Sequence, residues 1–200
     1  RGFVPGKPVI NLKDLIVDDY IKEARNTPKQ NKAIIGGNFC RWYGGFDSYI
    51  VAQEFNCPLY APSMGRKIKG EEEIPDLTHL PFMPWGEWMH KLAEFKYGIH
   101  LMQTFAAGSF MMNCGYLGIP CIGYNRVDTQ RKIFPKLSID IDDLESARKL
   151  ANRLVNDNDF YNECSQEATE NFEKHYSEKA FNIWKNDFFP NIEKYIKNWK

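Results

Sequence analysis

Three small residues, Ala107-Gly108-Ser109, separate an apolar run from a helix-forming segment that begins near Phe110. Small side chains let backbone N–H groups approach a phosphate, and the start of a helix turns its positive end toward the same point. Residues 99–123 as a whole read as strand, turn, helix, tight turn and second strand, one half of a nucleotide-binding βαβ unit. The chemistry this suggests is capture of an anionic, phosphorylated ligand. Ser109 can give a phosphate oxygen both a hydroxyl and an N–H, or it can serve as an ordinary helix N-cap. A second glycine-lined turn, Gly36-Gly37, follows the short apolar run Lys32–Ile35 and leads through Arg41 and Gly44-Gly45 to a helix over about 46–55. Arg41 could pair with a diphosphate through two parallel hydrogen bonds, or stand on the surface with no role.

Other residues could complete such a site. Met83 and Trp85 could sandwich a nucleobase, or could staple the start of a helix over 85–93. Asp128-Thr129-Gln130 offers a carboxylate, a hydroxyl and an amide on one polar loop, suited to sugar or ribose hydroxyls or else to capping its own backbone. Gln103, just ahead of the small-residue turn, joins the candidate ligand contacts. His100 lies in an apolar strand and reads as a satisfied buried imidazole before it reads as a catalytic group. Asp140-Ile141-Asp142 has the look of a metal-binding Asp-x-Asp, but it stands directly before a helical stripe, which makes capping its expected work. No metal is expected.

The elements that would position these groups alternate. Strands are expected at 32–35, 58–61, 77–82, 97–102, 120–124 and 137–141, with helices between them and three more, over 144–155, 159–175 and 178–197, closing the chain. About six short strands in this arrangement predict an open, mostly parallel Rossmann-like sheet with helices on both faces, an α/β fold with a helical C-terminus. Ligands of such sheets sit outside the carboxyl ends of the strands, the edge that holds both glycine-lined turns.

Composition narrows the class. The 200 residues are 43% hydrophobic, enough for a substantial core and incompatible with global disorder. With 26 basic and 26 acidic residues the net charge is zero, so the domain as a whole is no electrostatic partner for nucleic acid, and any anion site must be local. Five irregularly spaced cysteines predict free thiols in a reducing, cytoplasmic setting. There is no apolar run of the length a membrane span needs, and no signal-peptide core. Gly2, Pro5, Gly6 and Pro8 have linker chemistry, and Leu12, Leu15, Ile16, Asp19 and Tyr20 predict a short amphipathic helix.

Ala107-Gly108-Ser109, Leu117-Gly118-Ile119-Pro120-Cys121-Ile122-Gly123 and Asp128-Thr129-Gln130 together resemble the donor-binding half of a GT-B glycosyltransferase over about residues 32–175. Gly36-Gly37-Asn38 with Arg41 and Gly44-Gly45 is similar to the first glycine-rich loop of that family, and Leu80–Trp85 to its base-binding loop. The resemblance implies an enzyme of the hexosyl-transfer type that binds a nucleoside-diphosphate sugar without metal or other cofactor. It divides the chain into a linker and leader helix (1–31), a Rossmann-like donor domain (32–176) and a helix (177–200) crossing back to an N-terminal acceptor domain that lies outside this sequence. It also implies that these 200 residues alone do not transfer sugar. Two departures stand out. Phe105 and Asn113 occupy the places of the paired glutamates of many retaining members, and Phe105-Ala106-Ala107 stands where another branch has His-Gly-Gly. The other readings are a sugar-nucleotide epimerase of the same fold and a non-catalytic nucleotide-binding module that uses Phe181, Trp184, Phe188 and Phe189 as a partner surface.

Overall fold

A computed structural model describes residue 16, residues 19–62 and residues 70–197, without the side chains of Arg41 and of 193–197. The leader expectation falls mostly outside these residues. Within them, Ile16 is buried and Lys22–Asn26 forms a 3-10 turn.

Six strands form one sheet: β1 (Gln30–Ile35), β2 (Leu59–Ala61), β3 (Leu77–His79), β4 (Phe95–His100), β5 (Cys121–Tyr124) and β6 (Ser138–Ile139). Their order is β3-β2-β1-β4-β5-β6, and every pairing is parallel. The central strands are apolar on both sides, as a sheet covered on both faces requires: Ala33, Ile34, Ile35, Tyr97, Ile99, Cys121 and Ile122 are buried. The outer strands are only two or three residues long. Such short edges present little unpaired backbone to other chains.

The helices are α1 (Gly45–Ala52), α2 (Trp85–Leu92), α3 (Ser109–Tyr116), α4 (Asp128–Ile133), α5 (Leu144–Asn156), α6 (Asn158–Tyr176) and α7 (Glu178–Lys197). α1 packs with α5 against one side of the sheet, while α3, α4 and α6 pack together against the other. The 144–155 stripe becomes α5 through the burial of Ala147, Ala151 and Leu154. Its N-cap is Asp143, whose carboxylate accepts from the Ser146 N–H at 3.0 Å, so capping falls one residue beyond the Asp140-Ile141-Asp142 triplet. Asp157 caps α6 in the same way, accepting from the Phe160 N–H at 2.9 Å.

Several expectations change: β3 stops at His79 and β6 covers only Ser138–Ile139, both shorter than expected. β4 ends at His100, and Leu101 and Met102 continue as buried chain beyond the ladder. Asp128-Thr129-Gln130 is not a loop but the first half of α4. No described helix is long and apolar enough to cross a membrane.

Candidate functional site

The strand order reverses direction between β1 and β4, which lie side by side at the centre of the sheet. Loops leaving the carboxyl ends of such a pair run to opposite faces and leave a crevice between them. A cleft of about 580 Å³ opens there. Gly37 lines it from the β1 side, and Ala106, Ala107, Gly108, Ser109 and Phe110 line it from the β4 side. Phe82, Met83, Trp85 and Trp88 form the wall carried by α2 and the segment before it. The predicted small-residue turn, first glycine turn and aromatic wall thus converge on one cavity.

The turn into α3 is built for close approach. Gly108 has φ +74°, in the left-handed region that side chains disfavour, and a Cβ there would stand 2.8 Å from the Cβ of Thr129. Gly108 takes the N-cap position, so Ser109 is the first helical residue rather than the cap, exposed and in the cleft wall. The first N–H groups of a helix have no partner within it, and those of α3 open at this wall. Gly108 serves the fold as well as the cleft, because the Cβ of any replacement strikes the α3–α4 contact.

Gly36 and Gly37 are explained by what lies beneath them. A Cβ on Gly36 would come within 2.5 Å of the Phe110 ring and 2.8 Å of the His100 ring, and one on Gly37 within 2.7 Å of His100 Nε2. His100 ends β4 and lies against this turn, with Tyr43 stacked at 6.4 Å and Phe110 edge-on at 5.5 Å. It is buried as expected but not satisfied: neither ring nitrogen has a hydrogen-bond partner. Burial lowers its pKa to about 4, which keeps the imidazole neutral at ordinary pH.

The remaining candidates part company. Gln130 is fully buried, and its Nε2 donates to the carbonyls of Cys121 (2.9 Å) and Leu137 (3.2 Å), holding α4 to β5. Thr129 is buried too, and its hydroxyl donates to the Ala107 carbonyl at 2.5 Å while accepting from Tyr176 Oη at 3.3 Å. It therefore braces the small-residue turn from behind. Asp128 is exposed and paired with Arg131. Gln103 turns to a separate, more polar hollow of about 560 Å³, where its Nε2 donates to Asp142 Oδ1 at 3.0 Å. Asp47 lines that hollow, its carboxyl pushed up by burial and then by Asp142. Gly44 and Gly45 also border the hollow, and a Cβ on Gly44 would stand 1.9 Å from the Leu101 carbonyl, so this glycine seats α1 on the exit of β4. The side chain of Arg41 lies outside the described residues; its backbone begins the 3-10 turn Arg41–Tyr43.

Tyr43, Trp88, Phe110 and Asn113 line the cleft without having been singled out for it. Phe110 and Asn113 lie three residues apart on α3, a spacing that puts them on neighbouring ground once the helix start is fixed. Tyr43 and Trp88 carried no signal beyond their neighbourhood to Arg41 and Trp85. None of the described lining residues is an Asp, Glu, Lys or Arg, so apart from backbone dipoles and His100 the wall is apolar or neutral. Among the described residues no cluster of His, Cys, Asp and Glu has the makings of a metal site.

The geometry has close counterparts among solved structures. Staphylococcus aureus TarM, in a complex with UDP, superimposes with a TM-score of 0.67 at 12% identity, over 90% of this chain and 39% of that one. The fold is that of the GT-B glycosyltransferases. Sucrose-phosphate synthase from Thermosynechococcus elongatus matches with a TM-score of 0.65 at 11% identity, over 92% of this chain and 50% of its own. An α-glucosyltransferase solved with UDP-glucose and DNA matches with a TM-score of 0.66 at 15% identity, over 90% and 58%. The chain thus spans between about two fifths and three fifths of the length of these GT-B structures. No family model matches the sequence, and no curated protein matches it. At 11–15% identity the likeness to these structures is one of fold.

Proposed function

We propose that this chain is the nucleotide-sugar-binding domain of a GT-B glycosyltransferase, holding a nucleoside-diphosphate sugar for transfer to an acceptor bound by a separate domain. The observation that carries this reading is the convergence of Gly37, the Gly108-Ser109 helix start and the Met83–Trp85 wall on one cleft at the point where the strand order reverses. The diphosphate lies against the start of α3, where unpaired N–H groups and the helix dipole oppose its charge. The base stacks on the aromatic wall at Trp85. As the bond to the sugar breaks, charge grows on the departing diphosphate, and the same N–H groups stabilise it without a metal. Arg41, whose side chain lies outside the described residues, is the candidate to join them. An epimerase would call for carboxylates facing the sugar, and the described cleft wall offers none.

Calorimetric titration with UDP, GDP, ADP and dTDP in the presence of EDTA tests the reading. One of them binds, and Ser109→Ala weakens it by one to two decades, the worth of a hydrogen bond to a charged group at roughly 1.5–3 kcal/mol. Absence of binding at millimolar nucleotide would refute it.

A further inference from the structure

His100 carries an inference that rests on the nucleotide-binding reading and goes beyond it. Its ring is buried to 4% exposure in the wall of the cleft, yet both nitrogens lack a partner. A neutral imidazole has one donor and one acceptor to place, and buried polar atoms left empty are uncommon. Nε2 lies beside Gly37, which itself lines the cleft, so its unmet bond stands next to the space a ligand would take. The ligand, on the reading above, is an anion, and the described wall that receives it contains no Lys or Arg. Among the described lining residues, the only side chain able to become cationic is His100.

We propose that His100 is a ligand-contacting residue that donates a hydrogen bond to an oxygen of the bound diphosphate and takes up one proton as that anion enters the cleft. The proton comes from solvent and leaves again when the diphosphate departs; no covalent bond is made or broken. Burial keeps the ring neutral in the free protein, with a pKa of about 4. An anion beside it favours the charged form and raises that value. The sign follows from linkage. Between the pKa of the free ring and that of the occupied one, binding takes up protons, so affinity for the diphosphate falls as pH rises through that window. The groups that face the ring are Tyr43, from the turn before α1, Phe110, from α3, and the Gly36-Gly37 backbone, from the loop after β1. None of these is an Asp, Glu, Lys or Arg, and burial is the cause of the shift. The proton response therefore belongs to His100.

The test is calorimetry with UDP-glucose at about pH 6, in MES and in Bis-Tris, whose ionisation enthalpies differ. A diphosphate diester has no group of its own that titrates near this pH. If UDP-glucose does not bind, the diphosphate sugar of whichever base bound in the titrations above replaces it. Uptake of on the order of half a proton or more is expected. His100→Asn should abolish the uptake and weaken binding about tenfold, whereas the weak binding of the uncharged nucleoside shows no dependence on pH. Ring 15N signals of His100 in the unaltered chain give a readout that requires no variant: they move from neutral to imidazolium on adding the diphosphate sugar. Binding without proton uptake and with an unchanged ring signal overturns the assignment and leaves the nucleotide-binding reading standing. Failure of every nucleotide to bind removes both.

Discussion

His100 also makes the fold sensitive to acid. Its pKa is about 4 in the folded chain against an ordinary value of 6.5, so the unfolded chain binds the proton more readily. The resulting stability is fully present above pH 6.5 and is lost as pH falls toward 4. Over that interval the loss is about 3 kcal/mol at 1.36 kcal/mol per unit. Urea unfolding at a series of pH values should show it, and His100→Asn should flatten that part of the curve. An equally steep curve in the variant would assign the acid sensitivity to other groups. The same residue shows where sequence stops. A histidine in an apolar strand is legible as buried, but whether its nitrogens find partners depends on which loops fold over it.

At the scale of elements, α4 ties the small-residue turn to the rest of the domain. Thr129 donates to the Ala107 carbonyl and Gln130 bonds to two backbone carbonyls, so this six-residue helix is held largely by buried polar groups. Thr129→Val keeps the shape and removes the bond. It should lower stability by about 0.5–1.5 kcal/mol and weaken diphosphate binding through a looser turn. An unchanged unfolding free energy together with unchanged affinity would show that the turn needs no brace. The polar anchoring of α4 also explains why the sequence reads as a loop there. Periodicity detects apolar faces, and of the buried residues of α4 only Ile133 is apolar. By contrast α5, with Ala147, Ala151 and Leu154 on one face, and the glycine-flanked central strands were legible because hydrophobic spacing and turn chemistry agree. The lining of the candidate cleft was half legible for the same reason. Gly37, Gly108 and Ser109 are marked by backbone demands that show in residue type, whereas Gln103 and Gln130 differ from cleft-lining residues only in the direction their amides face.

At the scale of the molecule, α7 stands apart. Ala180 is buried, but none of the described residues from Phe181 to Ile192 is, although Trp184 and Phe188 stack on each other at 4.8 Å. Tyr195, grouped with them by its helical spacing, has its side chain outside the described residues. A helix with so little buried surface is held weakly, because most helical stability in proteins comes from packing. Amide exchange in α7 beyond Ala180 should therefore be much faster than in α6, where Phe160, Cys164, Ala168 and Phe172 are buried. Equal protection in the two helices would contradict this. The aromatic row on α7 is suited to cover by another domain of a two-domain enzyme, the arrangement proposed for this chain.

The central claim is that one cleft at the centre of the sheet receives a nucleoside diphosphate. The most direct test is a titration of the 15N-labelled chain with the diphosphate that binds, followed by backbone amide shifts. The account predicts the largest changes at Gly37, Gly108, Ser109 and Phe110, with smaller ones at Met83 and Trp85. Changes centred instead on Asp47, Gln103 and Asp142 would move the ligand to the neighbouring polar hollow and contradict it.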